Sequence, residues 1–382
     1  MMCRRMGLAL LVGWVMLAVA GCVSDRPAAR TAAPAQAEPA APAPAGPTAQ
    51  APAETAPVET APPTEPAAPE AAAVPAAPAP SKPGEEQSEP TFVTLTERKP
   101  VPGAIPTLYI AMNTGYLTVE GGPEDEVSVE ARIRTSRFAS EEDAAAATFA
   151  EHVRFEVRGD RVIVMPQAIK DPDLELSEMA LKVRAPARMA LTATMLSGDI
   201  TVKRMSSDLL LSTMEGPIGA FGDTFGRVTA LTQVGSVTLE ARAITGSVQA
   251  ATVTGDVVMS VEVMGGPVNA KTSKGDVLVR LGTLDGRVSA AAETGNVMFQ
   301  VEAVDTGGEA RLETTVGDVI AGLPAGSPGT FDLKVVDGQI TLAGRDEIQV
   351  TPVDGGASAK GVVGQGGPRY HMVVQQGSVT IR

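Results

Sequence analysis

Glycine returns every 20 residues through the C-terminal half of the chain, and each return opens the same short apolar alternation. Gly235, Gly255, Gly275 and Gly295 begin Gly-Ser-Val-Thr-Leu, Gly-Asp-Val-Val-Met, Gly-Asp-Val-Leu-Val and Gly-Asn-Val-Met-Phe. A second glycine falls midway: Gly226, Gly246, Gly266 and Gly286 each precede the next main glycine by nine residues. A fixed period of this size marks stacked supersecondary units, each too small to bury its own apolar face.

The two halves of each unit differ in bulk. One presents Val228, Ala230 and Thr232, then Val248, Ala250 and Thr252, then Val268, Ala270 and Thr272, then Val288, Ala290 and Ala292. The other presents Val237, Leu239 and Ala241, then Val257, Met259 and Val261, then Val277, Val279 and Leu281, then Val297, Phe299 and Val301. Alternate residues of a strand share a face. Between them Asn269, Lys271, Arg280, Ser289 and Gln300 suit solvent. The pattern predicts an all-β, two-sheeted β-solenoid of about 20-residue coils stacked at about 4.8 Å, small inward residues facing large ones. An antiparallel meander shares the spacing and ranks second, because both half-units keep one phase over several coils. Weaker repeats extend the pattern at Gly198-Asp199-Ile200, Gly317-Asp318-Val319, Gly338-Gln339-Ile340 and Gly377-Ser378-Val379.

Before the stack, residues 91–188 read as a β region that opens the solenoid. Alternation over 108–111, 116–119, 127–133, 153–157 and 161–165 predicts strands, and Gly159-Asp160 a hairpin turn. One short inserted helix is expected from Ser140, Glu141, Glu142 and Asp143 through His152. Residues 189–382 carry the repeats, with the Gly-rich segment 353–367 as a C-terminal cap.

Residues 26–90 hold 17 of the 30 prolines and 23 alanines. Such composition cannot bury enough apolar surface to offset its ordering entropy, so 22–90 is expected to be a disordered tether. Its reach lies between about 45 Å as a coil and roughly 200 Å as polyproline. Residues 1–21 read as a signal peptide: Arg4 and Arg5 form a basic start, and the apolar stretch 7–20 is short for a membrane span.

That stretch runs into Val19-Ala20-Gly21-Cys22, which resembles a bacterial lipobox. The resemblance implies cleavage before Cys22 and its acylation, with chains such as palmitate each contributing roughly 0.8 kcal/mol per buried CH2. By analogy with envelope sorting rules, Val23 in place of aspartate implies the outer membrane. Cys3 leaves with the signal, so the mature chain has no cysteine pair for a disulfide and no thiolate metal site. Losing Arg4 and Arg5 takes the net charge from −14 to about −16. That balance argues against nucleic acid and anionic lipid as partners.

The runs Asn113-Thr114-Gly115-Tyr116-Leu117-Thr118-Val119 and Ser197-Gly198-Asp199-Ile200-Thr201-Val202, the later Gly-Asp-Val repeats, and the ending 361–367 with 377–381 resemble the bacterial "putative adhesin" domain of unknown function. The resemblance covers roughly 105–382. It implies a β-solenoid at the cell envelope, on lipid-anchored or membrane-anchored proteins, and carries over no catalytic residue. The helix near Ala144 and the segment around Phe221 depart from the plain repeat.

Chemistry is scarce. Asp199, Asp256, Asp276 and Asp318 recur after glycine as a calcium ladder would, yet Ser236, Asn296, Gln339 and Ser378 stand at equivalent positions. A small polar side chain closing a turn explains all eight. His152 and His371, the only histidines, stand apart from any ligand set, so no metal or cofactor is expected. No nucleophile elbow, P-loop or His-Glu-x-x-His is present. Polysaccharide lyases also use β-helices, with an acid beside Arg or Lys; Asp276 with Arg280, or Asp256 with Lys274, is the nearest approach to such a pair. The column Thr232, Thr252, Thr272 and Thr314 has the phase of inward hydroxyls bonded along the stack. The expectation is a non-enzymatic, lipid-anchored envelope protein that binds a repetitive glycan, cell wall or surface partner; self-association of solenoids is the alternative, and a β-helix enzyme the third reading.

Overall fold

The structure, a computed structural model, describes residues 91–101, 107–122, 125–135, 149–167 and 179–382. Cys22, the lipobox, the tether and most of the expected helix lie outside them; of that helix only α1 (Phe149–His152) is described. The described residues belong to one compact unit, Lys82–Arg382.

The chain alternates from strand to strand. It opens with β1 (Thr91–Pro100), β2 (Thr107–Gly122), β3 (Glu126–Thr135), β4 (Val153–Arg158), β5 (Arg161–Pro166), β6 (Met179–Pro186) and β7 (Ala190–Lys203). The repeats follow as β8 (Leu209–Glu215), β9 (Ile218–Phe225), β10 (Val228–Val234), β11 (Val237–Ile244), β12 (Val248–Thr254) and β13 (Val257–Met264). They continue through β14 (Val268–Lys274), β15 (Val277–Leu284), β16 (Arg287–Thr294), β17 (Val297–Val304), β18 (Glu309–Val316) and β19 (Val319–Gly322). The end is β20 (Gly329–Leu342), β21 (Gln349–Val353), β22 (Gly356–Val363) and β23 (Arg369–Ile381).

Even-numbered strands β8 to β18 pair in parallel with the next even strand, and odd-numbered strands β9 to β19 with the next odd one. Each coil therefore gives one strand to each of two sheets, here called A (even) and B (odd). This is the expected solenoid, and the parallel register excludes the meander. Registers repeat without slip: Val228 opposes Val248, which opposes Val268 and then Val288. Period-2 alternation turns the two sets of triplets inward, where Val237, Leu239, Ala250, Met259, Ala270 and Phe299 are fully buried. A further column sits at the ends of the sheet-B strands, where Phe225, Ile244, Met264 and Leu284 plug the second corner. Each buried aliphatic side chain contributes roughly 1.5–3 kcal/mol.

The ends are built differently from a simple continuation. β2, β7, β20 and β23 are single long strands that pass from sheet A to sheet B through Gly115, Gly198, Gly338 and Gly377, all at positive φ. The last strand of the chain, β23, inserts between β18/β19 and β20. The coil order along the stack is therefore 317, 377, 338, not the order of the sequence. At the other end β2 lies between β5/β6 and β7. Antiparallel strands close the sheets: β4 on β5, β3 on β6, and β1 on β3. In the Gly-rich segment β22 pairs antiparallel with the first half of β20, and β21 pairs antiparallel with β22.

Candidate functional site

At each main glycine the chain turns from sheet A to sheet B with φ between +135° and +140° for Gly235, Gly255, Gly275 and Gly295. A turn of this kind breaks the parallel ladder, leaving one carbonyl and one N–H per coil without a backbone partner. Buried backbone groups need partners, and two side-chain ladders supply them. Thr252, Thr272 and Thr314 each donate their hydroxyl, at 2.8 Å, to the carbonyls of Gly235, Gly255 and Gly295. Thr232 does the same to Gly216 at 3.1 Å. Ala292, between Thr272 and Thr314 in the column, offers no hydroxyl to Gly275.

The second ladder runs outside the turn. Asp256 N–H donates to Ser236 Oγ at 3.2 Å, Asp276 N–H to Asp256 Oδ1 at 2.9 Å, and Asn296 N–H to Asp276 Oδ1 at 2.7 Å. Asp318 N–H then donates to Asn296 Oδ1 at 3.0 Å, and Ser378 N–H to Asp318 Oδ1 at 2.8 Å. The small polar residue after glycine thus joins each coil to the next rather than closing its own turn. Asn296 does the work of an aspartate without its charge, so a hydrogen-bond acceptor is what the position requires. Beside Asp199 stands Pro217, which has no N–H to give, and the ladder begins one coil later.

The other expected candidates are dispersed. Arg280 Nε donates to Gln300 Oε1 at 3.0 Å, and the oxygens of Asp256 and Asp276 accept the next coil's N–H groups. His152 ends α1, and His371 lies 3.7 Å from Asp332 in an exposed pair near the C-terminal end of sheet A. Among the described residues no group of His, Cys, Asp and Glu is placed to hold a metal ion. A wide, shallow depression of about 460 Å3 lies at the second turn, between Met264–Pro267 and 285–287, with Asp285 and Arg287 on its rim.

What the coils do present is a pair of regular outer faces. On sheet A, Thr229, Gln249, Asn269 and Ser289 oppose one another in consecutive strands as a polar row. On sheet B the corresponding row is Thr238, Val258, Leu278, Met298, Ile320 and Thr380. Its four aliphatic side chains are half-buried and face outward, opposite in phase to the core columns. The sequence carries their spacing, 258 to 278 to 298, although attention to the inward triplets passes over it.

No family model matches the chain, and no curated protein does. Solved structures of similar course exist at low identity. A "putative adhesin" from Bacteroides fragilis matches at 10% identity and a TM-score of 0.35, covering 76% of this chain and 97% of that one. A "putative lipid binding protein" from Parabacteroides distasonis matches at 11% and 0.35, with the same coverage. A "putative cell adhesion protein" from Clostridium sporogenes matches at 9% and 0.18, covering 77% and 99%.

Proposed function

We propose that the protein is a lipid-anchored component of the bacterial cell envelope, held in the outer membrane through Cys22, whose solenoid binds a repetitive surface polymer without catalysing a reaction. The observation that carries the reading is the unbroken register of the outer rows. Identical positions recur at each coil, about 4.8 Å apart, so a polymer laid along the stack meets the same groups again and again. Regular faces with small polar and aliphatic side chains suit an extended glycan or cell-wall strand. The tether of residues 22–90 supplies the reach from the membrane to that polymer.

The test is retention of the full chain, solubilised in detergent, on purified native sacculi and surface polysaccharide. Saturable retention that Leu278→Asp and Met298→Asp abolish supports the reading; absence of retention on both polymers removes it. Acylation is tested separately, by palmitate labelling that Cys22→Ser eliminates.

One observation favours self-association as a second reading. Residues 339–342 form the last strand of sheet B, and Ile340 and Leu342 on it are only partly covered. An open strand edge is a template for another chain. A sedimentation coefficient that rises with concentration, and no longer does so in Ile340→Lys, which sets a charge on the open edge, is the mark of that alternative.

A further inference from the structure

The outer face of sheet B changes character at its N-terminal end. One row of opposed residues crosses six strands as Arg98, Ser128, Arg184, Glu120, Lys203 and Phe221. In the row beside it stand Glu130, Lys182, Thr118, Thr201 and Gly219. Opposed side chains in adjacent strands lie about 5 Å apart, so the two rows form one continuous patch.

Three cations converge there on a single carboxylate. Glu120 lies 3.8 Å from Lys182 Nζ, 3.5 Å from Arg184 Nε and 3.4 Å from Arg204. Its side chain is 17% exposed, whereas those of Arg184 and Arg204 are 56% and 71% exposed. Lys203 is exposed on the neighbouring strand. Four cations therefore face the carboxylates of Glu120 and Glu130, while Arg98 is paired with Glu126 and Arg188 with Asp125. The positive excess stands out in a chain of net charge −14.

Arg204 is held there under strain. It is the one described non-glycine residue with positive φ, at 56°. The left-handed conformation costs such a residue roughly 1–2 kcal/mol. Gly121 makes the room, since a Cβ at that position would overlap the Arg204 carbonyl. Strain of this kind gathers at binding sites, where the surroundings impose it. Glycine or asparagine would relax the turn, but neither would bring a guanidinium to Glu120.

The groups around the cations narrow the ligand. Arg184 and Lys203 flank the Glu120 strand, two strand spacings or about 9.5 Å apart, a distance comparable to the length of a disaccharide. Thr118 and Thr201 turn hydroxyls outward beside them. Phe221 lies against Gly219, where a Cβ would meet one edge of its ring at 2.7 Å, so the ring reaches over the outer face of the sheet next to Lys203. Guanidinium pairs with carboxylate, hydroxyl with sugar hydroxyl, and a flat aromatic ring with the apolar face of a sugar. We propose that this patch binds an acidic polysaccharide, carrying at least one carboxylate per disaccharide and laid along the stacking axis. The proposal rests on the polymer-binding reading above and supplies the chemistry of its ligand.

The test uses the full chain in neutral detergent, on immobilised polygalacturonate and on uncharged dextran. Retention on polygalacturonate alone is expected, falling as salt rises. The double variant Arg184→Gln/Lys203→Gln weakens it on the order of tenfold, and Lys334→Gln on the opposite sheet leaves it unchanged. Arg204→Asn is expected to raise the melting temperature while lowering retention, which a purely structural Arg204 would not do. Equal retention of the double variant, or retention indifferent to salt, overturns the proposal. So does failure on polygalacturonate with capture by phosphatidylglycerol mixed micelles, which would mark a lipid site. Binding to native sacculi or surface polysaccharide without binding to polygalacturonate refutes the acidic-glycan assignment alone; binding to none of the three removes the polymer reading with it.

Discussion

Replacing Thr272 with valine isolates the inner ladder in one atom. Thr272 is fully buried, and its hydroxyl donates to the Gly255 carbonyl at 2.8 Å. Valine keeps the shape and removes the donor, leaving a buried carbonyl without the partner the structure gives it. An unsatisfied buried acceptor costs about 1–3 kcal/mol. The added methyl returns somewhat less than about 1 kcal/mol of apolar burial, so the net loss is about 1–2 kcal/mol. In a domain of this size that lowers Tm by roughly 2–8 °C. The assay is thermal melting of the full chain by far-UV circular dichroism, with Thr229→Val on the outer face of sheet A as the matched substitution. Thr229→Val is expected to change stability by less than about 0.5 kcal/mol. The reciprocal change, Ala292→Thr, restores a hydroxyl for Gly275 and is expected to stabilise by about 0.5–1.5 kcal/mol. A Thr272→Val protein that melts at or above the parent temperature would refute the reasoning.

Three further outcomes are expected. Gly275→Ala sets a Cβ into the Gly255 carbonyl at φ +140°, and should cost on the order of 3 kcal/mol; Gly286→Ala, whose Cβ finds nothing nearer than the Gly266 oxygen at 3.9 Å, should stay within about 1 kcal/mol of the parent, and paired urea titrations separate them. Tyr370 is buried with its hydroxyl unpartnered, and burial pushes its pKa up to about 12, opposed only by the nearby Arg345 cation. Its folded pKa exceeds the unfolded value, so stability holds below about pH 10 and falls as pH climbs from 10 towards 12; Tyr370→Phe should remove that part of the alkaline loss in melts across the range. Asp276→Asn keeps the acceptor for Asn296 N–H and should leave Tm unchanged, Asp276→Ala should lower stability by about 1 kcal/mol, and calcium or its chelation should shift neither melt.

The inner columns were legible because burial writes itself into sequence twice, as alternation along the strand and as the 20-residue return. The inward threonines were legible for the same reason: Thr252 and Thr272 share the phase of Val248 and Ala250. The polar residue after each glycine was readable as turn chemistry, yet its partner lies in the next coil, a relation that spacing does not reveal. Strand order at the ends was hidden, because a repeat period says which segments are equivalent and not which are adjacent. Nothing local to 377–381 announces that it lies between 317–322 and 338–342. The outward row of Val258, Leu278 and Met298 had the same period as the core and was masked by it. The basic patch left no periodic trace: Lys182, Arg184 and Lys203 come from two strands outside the central repeats, Arg204 from the turn after the second, and Glu120 joins them from a third strand. A whole-chain charge of −14 conceals a local excess of the opposite sign.

The central claim is that a regular array of coils reads a repetitive partner, and chain-length dependence of binding tests it most directly. Oligosaccharides of increasing length, released from the retained polymer, are titrated against the full chain. If successive coils engage successive repeats, affinity climbs with each added unit until the oligomer spans the stack, because each further unit binds at high effective concentration. A monosaccharide or disaccharide that binds as tightly as the polymer would contradict the account and point to a single enclosed site.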